Sequence, residues 1–410
     1  TGYSRYVIEL EKAQEFVFGK CQKLSTSKVD ISASRGLVLA ENVVSSDNVP
    51  PFPNSAMDGY AVRALDTQNA PVELKVLGTL PAGKFPNFNV ESGEAVRIMT
   101  GAVIPEGADS VVMVEKTQEI ENGNAVVIEE SVMDGNFIRQ PGEDFFEGSE
   151  LFTSGTLIGA AHIGVFATIG LEEVTVFKRP IVGVMSTGDE LVEGDVSLKP
   201  GQIRDSNRHT IKALLDELGT EVIDLGIVPD REDDIESTLL EASEKCDAIV
   251  TSGGVSMGDF DYVKLVLDRL GQMKWMQVAI KPAKPLAFGL LNGVPTFGLP
   301  GNPVSAMVSF ELFMRPALLK MMGCEQIWRP FLKAEAANPL NRRKDGKVHF
   351  ARVSLKKKQD NYEATLLEGQ GSHQLAAMAN AHGLAILPDG KGIAKGDLVD
   401  VIQLSEPETD

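Results

Sequence analysis

The sequence predicts a multidomain fold of the α/β plus β class with a central doubly wound α/β domain, and three observations carry that expectation. From about residue 178 to 328, short apolar runs alternate with helix-like segments, the pattern of a parallel doubly wound sheet. From 50 to 145, and again from about 329 onward, short strands are instead separated by Gly, Pro and Asn turns. The strands of the alternating stretch end in acids or glycines, as ligand-binding ends of such sheets do.

Taken in order, residues 1 to 49 open with a polar stretch and an amphipathic helix-like segment, Glu9 to Lys20, and show no signal peptide, so a cytoplasmic location is expected. The β-rich stretch contains Gly78-Thr-Leu-Pro-Ala-Gly-Lys84, which imitates P-loop spacing. Phe85 stands where a metal-binding hydroxyl is needed, and Pro81 and Pro86 interrupt any helix, so it is read as part of a strand-rich region. Leu151 to Leu171 carries no charged side chain, yet its Thr, Ser and Gly residues predict a buried helix followed by a turn rather than a membrane span. Val348 to Ser354, Tyr362 to Leu367, Leu384 to Leu387 and Leu398 to Leu404 then read as strands of a small barrel or sandwich.

The α/β stretch carries the chemistry. Ala248-Ile-Val250 leads through Thr251-Ser-Gly-Gly-Val-Ser-Met-Gly-Asp-Phe-Asp261 into a helix predicted over Tyr262 to Leu270. Gly253 and Gly254 allow close backbone approach, and the helix start supplies free N–H groups, so a phosphate is expected there with Ser256 beside it. Asp259 and Asp261 would repel a phosphate unless a divalent cation lay between them, which points to Mg²⁺. Ile181 to Ser186 likewise ends in Thr187-Gly-Asp-Glu190, and Glu221 to Gly226 exits through Val228-Pro-Asp230. Asp189 or Glu190, Asp230 and Asp261 are therefore a candidate carboxylate cluster at neighbouring strand ends.

Opposite charge comes from Lys281-Pro-Ala-Lys284, two lysines on a proline-stiffened backbone suited to an oxyanion. In Gly298-Leu-Pro-Gly-Asn302-Pro303-Val-Ser305, Asn302 is placed as an N-cap, Pro303 as the first helical residue and Ser305 beside the free N–H groups, with helix expected over Ala306 to Met322.

The chain has 39 Lys+Arg against 58 Asp+Glu, a formal net charge of −19, which opposes general binding to nucleic acid. Its 3 cysteines are widely spaced and its 5 histidines lack ligand spacing, so neither a disulfide framework nor a zinc site is expected.

In order along the chain, Asn54-Ser-Ala-Met-Asp-Gly-Tyr-Ala61, Arg97-Ile-Met-Thr-Gly-Ala102, Arg139-Gln-Pro-Gly-Glu-Asp144, Ser186-Thr-Gly-Asp-Glu190, Thr251 to Ser256, Lys281 to Pro285, Gly298 to Pro303 and Gln370-Gly-Ser-His373 resemble molybdopterin molybdenumtransferases, the MoeA proteins related to the gephyrin E domain. The resemblance implies an elongated molecule: a discontinuous N-terminal domain (1–49 and 146–177), an inserted β-rich domain (50–145), an α/β domain of molybdopterin-binding type (178–328) and a C-terminal β-barrel (329–410). It implies a homodimer whose site is shared between subunits, with no membrane association. A molybdopterin adenylyltransferase and molybdoenzyme maturation factors are the protein partners to expect.

The implied reaction is Mg²⁺-dependent insertion of molybdenum from molybdate into adenylylated molybdopterin, releasing AMP. On this reading the cation falls to Glu190, Asp230 and Asp261, and the nucleotide phosphates to the loop of Gly253, Gly254 and Ser256. Molybdate falls to Lys281, Lys284, Ser305, Arg352 and Ser372, while Asp58, Thr100 and Asp144 join Glu190 in catalysis from across the dimer. An adenylyltransferase could use the glycine loop alone, and a scaffold would need none of these charges. The β-rich segment and the retained acids and bases favour the insertion enzyme.

Overall fold

The computed structural model describes residues 7–253, 262–359 and 361–409. The chain forms two compact units, one of Thr1–Ala40, Gly155–Gly159 and Glu173–Asp410, the other of Glu41–Ser154 and Ala160–Glu172.

The first unit is built on a seven-stranded sheet in the order Val7–Ile8, Lys274–Val278, Pro285–Leu291, Val294–Leu299, Ala248–Ser252, Ile181–Thr187 and Glu221–Val228. The last four strands are parallel to one another. Period-two alternation makes the sheet two-faced: Val182, Val184, Ala248 and Val250 join one apolar core, whereas Met185 and Ile249 join another. Helix Asn207–Glu217 covers the first face through Ile211 and Leu215. Glu232–Lys245 and Tyr262–Leu270 cover the second through Ile235, Leu239, Val263 and Leu267.

The doubly wound arrangement expected from the sequence is present, but the sheet is mixed, because Pro285–Leu291 runs antiparallel to both its neighbours. The cause is local. Asn292 and Gly293 have φ of 50° and 86° and join two strands in a two-residue hairpin, where a parallel pair would need a long crossover.

The helix begins at Pro303, the expected first helical residue, and runs to Met321 through the segment read as helical over Ala306 to Met322, with a π-type turn at Phe310–Met314. Glu311, buried in that turn, accepts a forked pair of hydrogen bonds from Arg329 at 2.7 and 2.8 Å. Beyond it, Val348–Lys358, Asn361–Leu366, Phe331–Ala336, Leu398–Gln403 and Gly383–Leu387 close into a barrel, since the first of these strands also pairs with the last. Phe331–Ala336 is the strand the sequence reading missed; its buried Ala334 and Ala336 are too small to register as an apolar alternation.

In the second unit, a six-stranded sheet runs Ser110–Met113, Gly59–Val62, Glu94–Ile98, Val72–Leu80, Ala125–Ile128 and Thr117–Ile120. The P-loop imitation therefore starts inside a strand. Leu151 to Leu171 holds the end of strand Glu150–Phe152 and a helix, Ala160–Thr168, in which Phe166 alone is fully buried, so the expected buried helix is a largely surface one. Among the described residues no helix is long and apolar enough to cross a membrane.

Gly59 sits where a Cβ would lie 2.0 Å from the Val112 carbonyl oxygen. Gly59→Ala must part these paired strands, and urea denaturation should show a loss of about 1–3 kcal/mol.

Candidate active site

The chain passes from Ile181–Thr187 outward to Glu221–Val228 and returns to Ala248–Ser252 on the opposite side, so the strand order reverses between the ends at Thr187 and Ser252. A crevice outside such a reversal is the expected ligand position.

Asn207 closes its floor. Only 8% exposed, it opens helix Asn207–Glu217 and donates from Nδ2 to Ser252 Oγ (2.7 Å) and to the Gly301 carbonyl (2.8 Å). Gly253 follows with φ +92°, and a Cβ there would come within 3.0 Å of the Thr187 carbonyl oxygen, so this corner requires glycine. The sequence-predicted Gly254, Ser256, Asp259 and Asp261 lie outside the described residues.

Three acids gather at the other strand ends. The Thr187 hydroxyl faces Asp230 Oδ1 at 3.4 Å, and the Asp230 N–H faces Asp189 Oδ1 at a long 3.5 Å. Burial, then the charge of Asp189, raises the Asp230 carboxyl above its ordinary pKa; Glu190 adds to this and the Thr187 hydrogen bond only partly offsets it. The sequence left open whether Asp189 or Glu190 goes with Asp230, and the charges of both act on it. Among the described residues, however, no three His, Cys, Asp or Glu side chains are placed to hold a metal by themselves.

Beneath the acids lies a buried network that sequence reading missed. Arg208 is 2% exposed; its Nε donates to Asp205 (3.1 Å) and its Nη1 to both oxygens of Asp224 (2.5 and 2.6 Å). Its Nη2 lies 2.5 Å from Glu193 without hydrogen-bond geometry. Asp205 in turn accepts from the Ser186 hydroxyl at 3.2 Å. A bulge inserts Leu225 between the paired residues Asp224 and Gly226 of that strand. The available signal was the polar run Asp205-Ser-Asn-Arg208 at the start of an amphipathic helix.

Of the basic group, Lys281 is exposed and lies on the two-residue strand that pairs with Val348 and His349 of the barrel. Lys284 is half-buried, its carbonyl accepting from the Val278 N–H at 2.7 Å. Ser305 is buried near the helix start at Pro303, where Asn302 takes the N-cap position without a side-chain cap bond. Ser372 is brought there by a hydrogen bond from the Val304 N–H to its carbonyl, 3.1 Å.

Arg352 is placed differently from the others. It is fully buried, and its Nη2 donates to the carbonyls of Gly369 (2.5 Å) and Gly371 (3.2 Å), while Gln370 bonds both its backbone groups. Its Nε and Nη1 have no partner among the described residues, and burial lowers its pKa. Arg352 thus supports the loop that carries Ser372 from below, as a buried cation without a carboxylate.

In the second unit, Asp58 Oδ1 accepts from the Thr100 N–H (2.7 Å) and hydroxyl (2.8 Å), and these bonds, the N–H first, hold its carboxyl below the usual range. Asp144 is exposed, anchored by its N–H to the Val49 carbonyl at 2.9 Å. The motif around Asn54 to Ala61 therefore delivers an ionised, positioned carboxylate, with Tyr60 buried behind it and held by Arg97 at 2.9 Å.

Comparison with known families decides what this geometry belongs to. The MoeA N-terminal region (domain I and II) matches residues 8–170, a probable molybdopterin binding domain matches 183–320, and the MoeA C-terminal region (domain IV) matches 333–404. The chain belongs to the MoeA family. A molybdopterin molybdenumtransferase of Haemophilus influenzae is 39% identical over 379 residues, 92% of this chain and 93% of that protein. One from Staphylococcus aureus is 34% identical over 415 residues, covering 97% and 96%. The crystal structure of the molybdopterin biosynthesis MoeA protein of Pyrococcus horikoshii superposes with a TM-score of 0.80 at 32% identity, over 98% of this chain and all of that one. The family's C-terminal and molybdopterin-binding segments correspond to the closed barrel and the mixed sheet described above.

Proposed function

We propose that this MoeA-family chain is a molybdopterin molybdenumtransferase that inserts molybdenum from molybdate into adenylylated molybdopterin and releases AMP. The observation that carries the proposal is the pairing, in one unit, of an acidic strand-end crevice (Asp189, Glu190, Asp230) with a separate cationic and hydroxyl-bearing group (Lys281, Lys284, Ser305, Ser372). Cleaving a phosphoanhydride calls for acids that orient water and a cation, whereas a tetrahedral dianion calls for fixed ammonium and hydroxyl donors.

Hard carboxylate oxygens fit Mg²⁺; burial first, and then the charges of Asp189 and Glu190, push Asp230 upward, and a cation would relieve the repulsive part of that push. Glu190 and Asp230, with Asp261, would hold it, and the bound ion would offset charge on the phosphoanhydride. Glu190 is exposed and orients the attacking water; Asn207 and Gly253 set the backbone on which the nucleotide phosphates rest. Ser305 and Ser372 donate to molybdate beside the lysines, and Arg352 fixes the loop of Ser372. Asp58, Thr100 and Asp144 are assigned to the same reaction, delivered by the partner subunit of a homodimer working in the cytoplasm.

Incubation with adenylylated molybdopterin, Mg²⁺ and molybdate, followed by assay of AMP and active cofactor, tests the proposal; absence of both products would refute it. Lys281→Ala with Ser372→Ala should raise the molybdate concentration needed for turnover at least tenfold, since each charge-assisted hydrogen bond contributes about 1.5–3 kcal/mol. Nucleotide binding measured without molybdate should change little.

A further inference from the structure

Lys281, assigned above to molybdate, has its observed surroundings at the barrel. It lines a cleft at the barrel edge together with Arg343, Lys344, Asp345, His349 and Gln370, and this cleft contains neither Ser305 nor Ser372. Arg342, Arg343, Lys344 and Lys281 line it with one acid, Asp345, while Asp389 pairs with Arg342 outside the lining, in a chain whose formal net charge is −19.

That acid is already engaged. Asp345 accepts from Arg342 Nη2 at 2.8 Å and lies 3.0 Å from His349 Nε2. Arg342, its side chain 1% exposed, spends its other donors on the carbonyls of Arg343, Lys347, Leu387 and Pro388 and on Asp389. It therefore acts as a buried clamp that fixes the turn from 342 to 347. Arg343 and Lys344 ride on this clamped turn, exposed, and neither has an ion-pair partner among the described residues. Cations carried on a held turn beside an engaged carboxylate form an anion site whose backbone needs little reorganisation when its ligand arrives.

We infer that Arg343 and Lys344, with Lys281 at the shared edge, form a second subsite for a tetrahedral oxyanion: molybdate on its way to Ser305 and Ser372, or the phosphate of the pterin substrate. Through Lys281 the inference rests on the transferase reading, but Arg343 and Lys344 stand on the cleft itself.

The test uses the intact protein and the double variant Arg343→Ala/Lys344→Ala, with Arg343→Glu/Lys344→Glu as the stronger change. Both residues are exposed and unpaired, so thermal melts should match the parent. Titrations with molybdate alone, with inorganic phosphate alone and with adenylylated molybdopterin alone should show at least about tenfold weaker binding for one or more of the three in the Ala variant. Charge reversal should weaken it further, and the dependence on salt should shrink. Loss confined to molybdate and phosphate identifies the free oxyanion as occupant; loss confined to the pterin nucleotide identifies its phosphate. Unchanged binding of all three probes overturns the subsite. Cation-dependent oxyanion binding without any molybdenum insertion would leave the subsite standing and refute the transferase reading instead.

Discussion

Asp58→Ala and Glu190→Ala should each lower the rate of molybdenum insertion by roughly a hundred- to a thousandfold, the size of effect seen when a preorganised charged group is removed from a reacting centre. Stability should barely move. Both side chains are exposed, and among the described residues the Asp58 carboxylate is hydrogen-bonded by Thr100, whose N–H and hydroxyl can turn to water when the carboxylate is gone. Melting curves alongside the rates separate lost chemistry from lost fold. The same pair tests the shared site: if the partner subunit delivers Asp58, mixing the two inactive proteins under subunit exchange yields hybrid dimers with one site carrying both residues. Recovered turnover is the expected result. No recovery despite proven exchange would mean that both residues serve the site of one subunit.

Much of this arrangement was legible in the residues because it depends on local signals. The alternation of Ile181 to Ser186 and of Ala248 to Val250 fixes which side chains enter each core. Pro303 after Asn302 located the helix start to the residue. Other features were hidden because they arise from contacts distant in sequence. Nothing local to Arg352 says that Gly369 and Gly371 will fold over it, so its full burial under the loop was not legible. The Asn292-Gly293 turn was available as a hairpin signal and was passed over in favour of a uniform parallel sheet. Nothing local singles out Asn207, which the structure joins to Ser252 and Gly301 at separations of 45 and 94 residues.

The second large effect should come from Arg208, which no ligand needs to touch. Arg208→Met keeps the length of the side chain but leaves the buried Asp205 without its cation and Asp224 with Lys212 alone. Breaking one side of such a network costs about 3–5 kcal/mol, to be read from urea denaturation near neutral pH. The pH dependence carries a further signature. Burial works against ionisation of Asp224, yet hydrogen bonds from Lys212, Arg208 and the Gly226 N–H hold its pKa down at about 2, against an ordinary 3.8. A depressed folded-state pKa contributes stability that is present above the unfolded value and is lost as pH falls from about 4 to about 2. The parent protein should therefore weaken through that acid window, while the Arg208→Met variant, already deprived of the pairing, should show a shallower fall that Lys212 keeps from vanishing. Activity should suffer as well, because Asp205 holds the Ser186 hydroxyl and Glu193 ties the segment after Asp189 and Glu190 to the same guanidinium. A variant that loses less than about 1 kcal/mol and keeps the full acid slope would show that the network is not what secures the acidic crevice.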